Sequence, residues 1–333
     1  WLLHSALAGQ SNMSVAVYNV GQGNANAVVD HAEHPLVYFD VGAPLTRFSW
    51  TRPPDFPLFF DCDRTHIPFN TDDTPRGFSS PVILSHWDYD HWSGVISDVK
   101  IVRDQVTQQK VAQFVLDPKA YHRYWIAPDQ EHLNLGITHK ELIRRLFSAK
   151  GYNGRPRLQY WPQNVTRITF GSGTLYRNNG TSRNDSGLFL CLRGNVNGNQ
   201  NAVILLPGDA HYMGVSAICG PTMLAGLVVS HHGGNAGNPI GPSFCPTHTH
   251  NIVCSVGCAD PVTGKKPYNH PNSTVIANHV AAGWNTPTYT YNSKASLLSA
   301  TPIKNYVLTF DPAFSPKCTC GDVAAANMAL VQP

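Results

Sequence analysis

The chain has 333 residues, 42% of them hydrophobic and 14% charged, with a net charge of +3. That length can bury a large core, as one sizeable α/β unit or two small ones. Its 27 Gly and 25 Pro suit many turns rather than long helices, and no run of about 18 apolar residues marks a membrane span.

In chain order, "WLLHSALAG" is apolar but lacks the basic leader of a signal peptide. Because the first residue is Trp1 and not methionine, an upstream segment of a longer or processed chain is expected, and the compartment stays open between cytoplasmic and exported as an effector. "SVAVYNVG" alternates Val15, Val17 and Asn19 against Ala16, Tyr18 and Val20, as a strand does, and stops at Gly21-Gln22-Gly23. "NAVVD" and "PLVYFDVG" read as two further short strands. Residues 44–80, rich in Pro, Phe and Asp without a period, read as a lid-like insertion in a single unit spanning 1–333. "PVILSH" is a continuous apolar run, expected of a strand buried on both faces that delivers His86 to its C-terminal end.

The spacing of Leu142, Ile143, Leu146 and Phe147 in "HKELIRRLFSAKG" predicts a helix, with Gly151 as its C-cap. "GLFLCLRG" and "NAVILLPGD" form an expected strand pair across "NVNGNQ". "LAGLVVSHHGG" and "NIVCSVG" read as buried strands, and "STVIANHVAAG" as a final helix. Eight cysteines (62, 191, 219, 245, 254, 258, 318 and 320) match no standard zinc module and read mostly as reduced core thiols.

Charge is uneven. Between Lys140 and Arg193 there are ten bases and two acids, interleaved with Phe147, Tyr152, Tyr160, Trp161 and Tyr176. Cations beside stackable rings suit a polyanion such as nucleic acid, and a solvated basic face is the plain alternative.

Polar residues cluster where buried strands are expected to end: "VILSHWDYDH", "VILLPGDA" and "LVVSHHGG", with "PYNHP" before the last helix. Strand ends on one sheet edge converge in space. One such histidine alone would be structural more often than not, and a lone Asp-x-Asp-His could be a helix N-cap. Four clusters together point to metal. His122, His132, His139, His248 and His250 match no cluster and read as loop residues.

"HWDYDH" resembles the His-x-His-x-Asp-His signature of the metallo-β-lactamase superfamily. "VYNVGQGNANAVV", Gly208-Asp209-Ala210, His231-His232-Gly233 and His270-Pro271 are similar, in order and spacing, to the branch containing the C-terminal domain of ComEC-type DNA-uptake proteins. The resemblance covers about residues 14–310. It implies an α/β fold, an αββα sandwich of two mixed sheets flanked by helices, with two divalent ions at one edge.

In that reading His86 and Asp88 bind the first ion, Asp90, His91 and His231 the second, and Asp209 bridges them. His232 and His270 are left as ligands or as the acid that protonates the leaving group, with Asp90 also counted as catalytic. Which of His231 and His232 meets the metal stays open, His231 being favoured because it directly ends the strand. Two departures stand out: Asp88 replaces a usual histidine, and Asn184 falls near the place of another, as it does in the ComEC-like branch. Both shift the ligand shell towards oxygen, and so from Zn²⁺ towards Mn²⁺ or Mg²⁺.

The implied activity is metal-dependent hydrolysis, as a nuclease or phosphodiesterase, with Arg183, Lys265 and Lys266 stabilising added charge on a substrate near Asn184. One alternative is a small-molecule hydrolase, a phosphocholine esterase or lactonase, walled by Phe48, Trp50, Phe56, Phe59 and Phe60. The other is a metal-binding regulatory protein without turnover.

Overall fold

The computed structural model describes residues 2–7, 13–31, 34–44, 80–151, 154–196, 199–219, 223–242, 251–257, 263, 265, 267–290, 305–310 and 328–330. Apart from its two end residues, the expected insertion at 44–80 lies outside them, as does Lys266.

Strands β1 (Ser14–Val17), β2 (Ala25–Val29) and β3 (Pro35–Val41) form an antiparallel meander, which β4 (Val82–Ile83) joins in parallel. The hairpin of β5 (Ile96–Arg103) and β6 (Lys110–Leu116) is a separate two-stranded sheet. Strands β7 (Trp125–Ala127) and β8 (Leu158–Tyr160) extend the first sheet in parallel.

The second sheet opens with β9 (Arg167–Phe170), β10 (Gly173–Arg177), β11 (Leu188–Val196) and β12 (Asn199–Leu206), all antiparallel. It continues in parallel through β13 (Met223–Val228), β14 (Asn251–Cys254) and β15 (Thr288–Tyr289). Strands β16 (Asn305–Leu308) and β17 (Met328–Leu330) return to the first sheet. The helices are α1 (Leu2–Leu7), α2 (Pro118–Tyr121), α3 (Ile137–Ser148), α4 (Tyr212–Cys219) and α5 (Ser273–Ala281). The fold is mixed α/β, with an eight-stranded and a seven-stranded sheet among the described residues.

Period-two alternation explains how these layers stack. Leu188, Leu190 and Leu192 of β11, with Ala202, Ile204 and Leu206 of β12, meet Val15, Val17, Val28 and Phe39 of the first sheet in one core. The intervening Phe189, Cys191, Val203 and Leu205 face the other way, against Tyr212 and Val215 of α4. On the far side of the first sheet, Ala16, Tyr38, Val82 and Trp125 pack on Leu142, Ile143 and Leu146 of α3 and on Phe114 of the hairpin. Cys191 and Cys254 are buried in the second sheet's outer core, as read for core thiols.

Two expected elements differ. β4 is only Val82–Ile83 long. Leu84 N still pairs with Ile126 O at 2.8 Å, but Ser85 N turns to the Asp40 carboxylate at 2.7 Å, so a buried acid captures the amide that would have continued the ladder. His86 therefore sits in the loop beyond the strand. Helix α3 ends at Ser148, with Ala149 extended, so Gly151 is not its C-cap. A side chain at 151 would collide with the Tyr124 hydroxyl, which accounts for the glycine.

Candidate metal centre

The parallel strands β3, β4 and β7 of one sheet and β12, β13 and β14 of the other end at a shared edge. Asp40 lies near the end of β3, His86–His91 follow β4, Asp209 follows β12, His231 and His232 follow β13, and Ser255 follows β14. His270 comes from the turn before α5. This is the convergence that the strand-end clusters predict.

Two buried indoles fix the "HWDYDH" loop. Trp87 and Trp92 bracket the acids, and Trp87 Nε1 donates to Pro128 O at 3.0 Å. Burying a tryptophan of that size stabilises by roughly 3 kcal/mol or more. The intervening Asp88, Tyr89 and Asp90 are left half-exposed to the cleft, while His86 and His91 are 1% and 0% exposed. Gly42 lies under this loop: a Cβ there would overlap the Asp90 carbonyl oxygen.

The imidazoles are anchored on one nitrogen each. His91 Nδ1 donates to Asp40 Oδ2 at 2.8 Å, and the Ser85 hydroxyl donates to the same oxygen at 2.7 Å. His86 Nδ1 lies 3.0 Å from that hydroxyl, and His232 Nδ1 donates to Ser255 O at 3.0 Å. Asp40 also accepts from Asn24 Nδ2 at 3.0 Å, so this one carboxylate, fully buried, organises four donors. The Nε2 atoms of His86, His91 and His232, and Asp209 Oδ1, are buried with no hydrogen-bond partner.

Those atoms face one another. His91 Nε2 is 3.2 Å from Asp209 Oδ1, while His86 Nε2 and His231 Nε2 lie 3.8 and 3.7 Å from Asp209 Oδ2. His232 Nε2 is 3.5 Å from Asp90 Oδ2. Buried donors turned on each other in this way are satisfied by protonation of the imidazoles or by a cation between them, and N/O donors on that spacing could hold a divalent metal. Two such groups form, His86–His91–Asp209 and Asp90–His91–His232. Anchoring through Nδ1 is also how imidazoles are oriented where they bind metal.

The buried imidazoles and carboxylates set one another's charge. Burial opposes a charge on His91, but the Asp209 and Asp40 carboxylates outweigh it and hold its pKa well above the ordinary value. His232 is likewise raised against burial by Asp90 and Asp209. Despite burial, His91 holds Asp209 well below the usual carboxylate range, and His232 holds Asp90 below it. Burial, with the neighbouring His232 and His231, pushes His270 down to about 4, so it is neutral at pH 7 and a poor source of a proton.

The backbone is strained here. Asp40, His231, His232, Tyr268 and Asn269 all have positive φ, between 48° and 63°. Non-glycine residues in that region cost roughly 1–3 kcal/mol each and gather at functional sites.

Of the expected residues, the structure gathers His86, Asp88, Asp90, His91, Asp209, His231, His232 and His270 around the cleft. It groups His232, rather than His231, with Asp90 and His91, because the left-handed turn buries His232 and leaves the His231 side chain 34% exposed. Asp88 belongs to neither group; its Oδ1 accepts from Arg183 and its Oδ2 lies 3.3 Å from His86 Nε2. Arg183 lines the cleft, whereas Asn184 and the exposed Lys265 do not. His139, read from sequence as a loop residue, stands in the first turn of α3 and lines the cleft beside Arg183. Asp40, Ser85, Ser255 and Gln130 were not singled out from the sequence. The signal for Asp40 was its place at a strand end, in "YFDVG".

Among its described residues, the basic segment 140–193 does not assemble an aromatic groove. Trp161 and Tyr176 are buried, Arg157 is buried over the Tyr124 ring, and Arg144 and Arg145 pair with Glu141. Tyr152 lies outside the described residues. A nucleic-acid partner has no support in this geometry. No described helix is long and apolar enough to cross a membrane. Set beside models of known families and beside curated proteins, the chain matches none.

Proposed function

We propose that this chain is a metal-dependent hydrolase of metallo-β-lactamase type, an αββα sandwich acting on a phosphodiester. One observation carries the reading: three buried imidazole Nε2 atoms and an Asp209 oxygen, all without hydrogen-bond partners, converge at the end of parallel strands from two sheets. Divalent metal held there by Asp209, His91 and either His86 or Asp90 with His232 would supply Lewis acidity and an activated water. Asp40 and Ser85 fix Nδ1 of His91 and His86, so Nε2 is the nitrogen that would give up a proton and turn to the metal. Arg183, lining the same cleft in its pair with Asp88, would set a guanidinium beside an anionic ester.

The cleft, of about 290 Å³, favours a small ester over a duplex. A lactone or other small neutral ester is the second reading, favoured by the Tyr89 and Tyr268 rings on its walls. The test sets bis-p-nitrophenyl phosphate, plasmid DNA and a lactone panel against wild type and Asp90→Ala, with Mn²⁺, Mg²⁺ or Zn²⁺. Release of nitrophenolate by wild type alone is the expected outcome. Turnover confined to lactones selects the second reading, and equal behaviour of the two proteins on every substrate removes catalysis by this cluster.

A further inference from the structure

The two candidate ligand groups share His91. Its Nδ1 is already committed to Asp40, which leaves a single lone pair, on Nε2. One nitrogen lone pair serves one ion, so His86–His91–Asp209 and Asp90–His91–His232 are alternatives for the same nitrogen and not two sites to be filled together.

A second ion would have to draw on His86, His231, the other oxygen of Asp209 and Asp88. Asp88 is taken: its Oδ1 accepts from the Arg183 guanidinium, and both side chains are about one-third exposed. This pair is built into the fold. The Gln130 amide, fully buried, donates from Nε2 to Arg183 O at 2.6 Å and to Ser186 Oγ at 2.7 Å. Its Oε1 accepts from the amide of Trp87, next to Asp88, at 3.1 Å. One side chain therefore ties the arginine's backbone to the aspartate's loop and holds the two charges opposite each other. A dication placed on Asp88 would have to compete with the guanidinium that this carboxylate already holds.

We infer that Arg183 takes the place of an ion. Its guanidinium supplies the positive charge on the Asp88 side of the cleft, and the chain takes up one divalent ion, through His91, rather than two. This rests on the metal-binding reading above and specifies its stoichiometry. Arg183 then acts as a fixed cation where a two-ion site would place a second metal, beside the ion that His91 receives.

The experiment uses the full chain stripped with chelator and dialysed against manganese alone, with metal per chain read by elemental analysis and affinity by calorimetry. Wild type should take about one ion per chain and Arg183→Met about two, while Arg183→Lys, which keeps the charge, stays near one. Two ions in wild type at comparable affinity would overturn the inference and leave the metal reading standing. So would a single ion in Arg183→Met with a native circular dichroism spectrum. No ion at all in wild type sinks the metal reading and this inference with it. If Arg183→Met does not fold, the wild-type ratio and Arg183→Lys decide: two ions in either overturns the inference, and one in each sustains it.

Discussion

The two walls of the cleft are built differently. On one side His91, His232 and Asp209 are 0%, 3% and 5% exposed, each imidazole pinned through Nδ1 by a buried carboxylate or carbonyl. On the other, Asp88 and Arg183 are about one-third exposed and hold each other. A solvent-facing ion pair is worth about 1 kcal/mol or less, whereas breaking a buried charged network costs about 3–5 kcal/mol. Preorganisation lives on the inner wall, and adjustability on the outer one.

The comparison breaks most easily at Asp40, which belongs to neither ligand group yet holds His91 directly and, through Ser85, His86. Asp40→Ala should lower unfolding free energy by about 3–5 kcal/mol in a denaturant titration and weaken metal uptake by about 10–100-fold. Loss of stability without loss of affinity would show that the inner wall is not held from behind. Next comes Gly42, whose added methyl would strike the Asp90 carbonyl. Gly42→Ala should cost about 1–3 kcal/mol through overpacking, read as a lowered midpoint of unfolding. His232→Ala should impair metal affinity by about tenfold more than His231→Ala, because only His232 has its second nitrogen anchored in the buried wall.

pH sharpens the same contrast. The folded pKa values of His91 and His232 are raised by the neighbouring carboxylates. Their imidazolium pairs therefore stabilise the fold fully below the ordinary value of about 6.5, and that stabilisation is lost as pH rises through the folded values. Asp90 and Asp209 are depressed, so their contribution is lost only in acid, below that window. Metal uptake has the opposite sign, since protons must leave Nε2 first. The melting temperature of chelator-treated protein should fall from about pH 6 to about pH 9 while the gap to metal-loaded protein widens. A gap that is flat across that range would mean the inner imidazoles do not exchange protons for metal. The smallest effect belongs to the outer wall: Asp88→Asn should change metal affinity by less than about threefold and stability by about 1 kcal/mol or less, by the same titrations.

Much of the site was legible because strand ends are legible. Val-rich runs that stop at "SHWDYDH", "GDA" and "SHHGG" announce side chains gathered at one sheet edge, and the alternation in "GLFLCLRG" sorts residues to the faces they occupy. What could not be read depends on contacts distant in sequence. The choice of His232 over His231 is made by two left-handed residues and by a carbonyl 23 positions away. Arg183 reaches Asp88 across 95 residues, placed by Gln130, whose own sequence context is unremarkable. The basic run misled because composition does not show pairing: Arg157 lies over Tyr124, and Trp161 fills the core between the sheets.

The candidate ligand atoms come from both sheets, His86 and His91 from the first, Asp209 and His232 from the second. Each sheet also carries its own outer core, and among the described residues the two meet across an apolar interface that no strand crosses. An ion held as proposed between His91 and Asp209 would rivet that laminate, resisting the sliding of one sheet over the other.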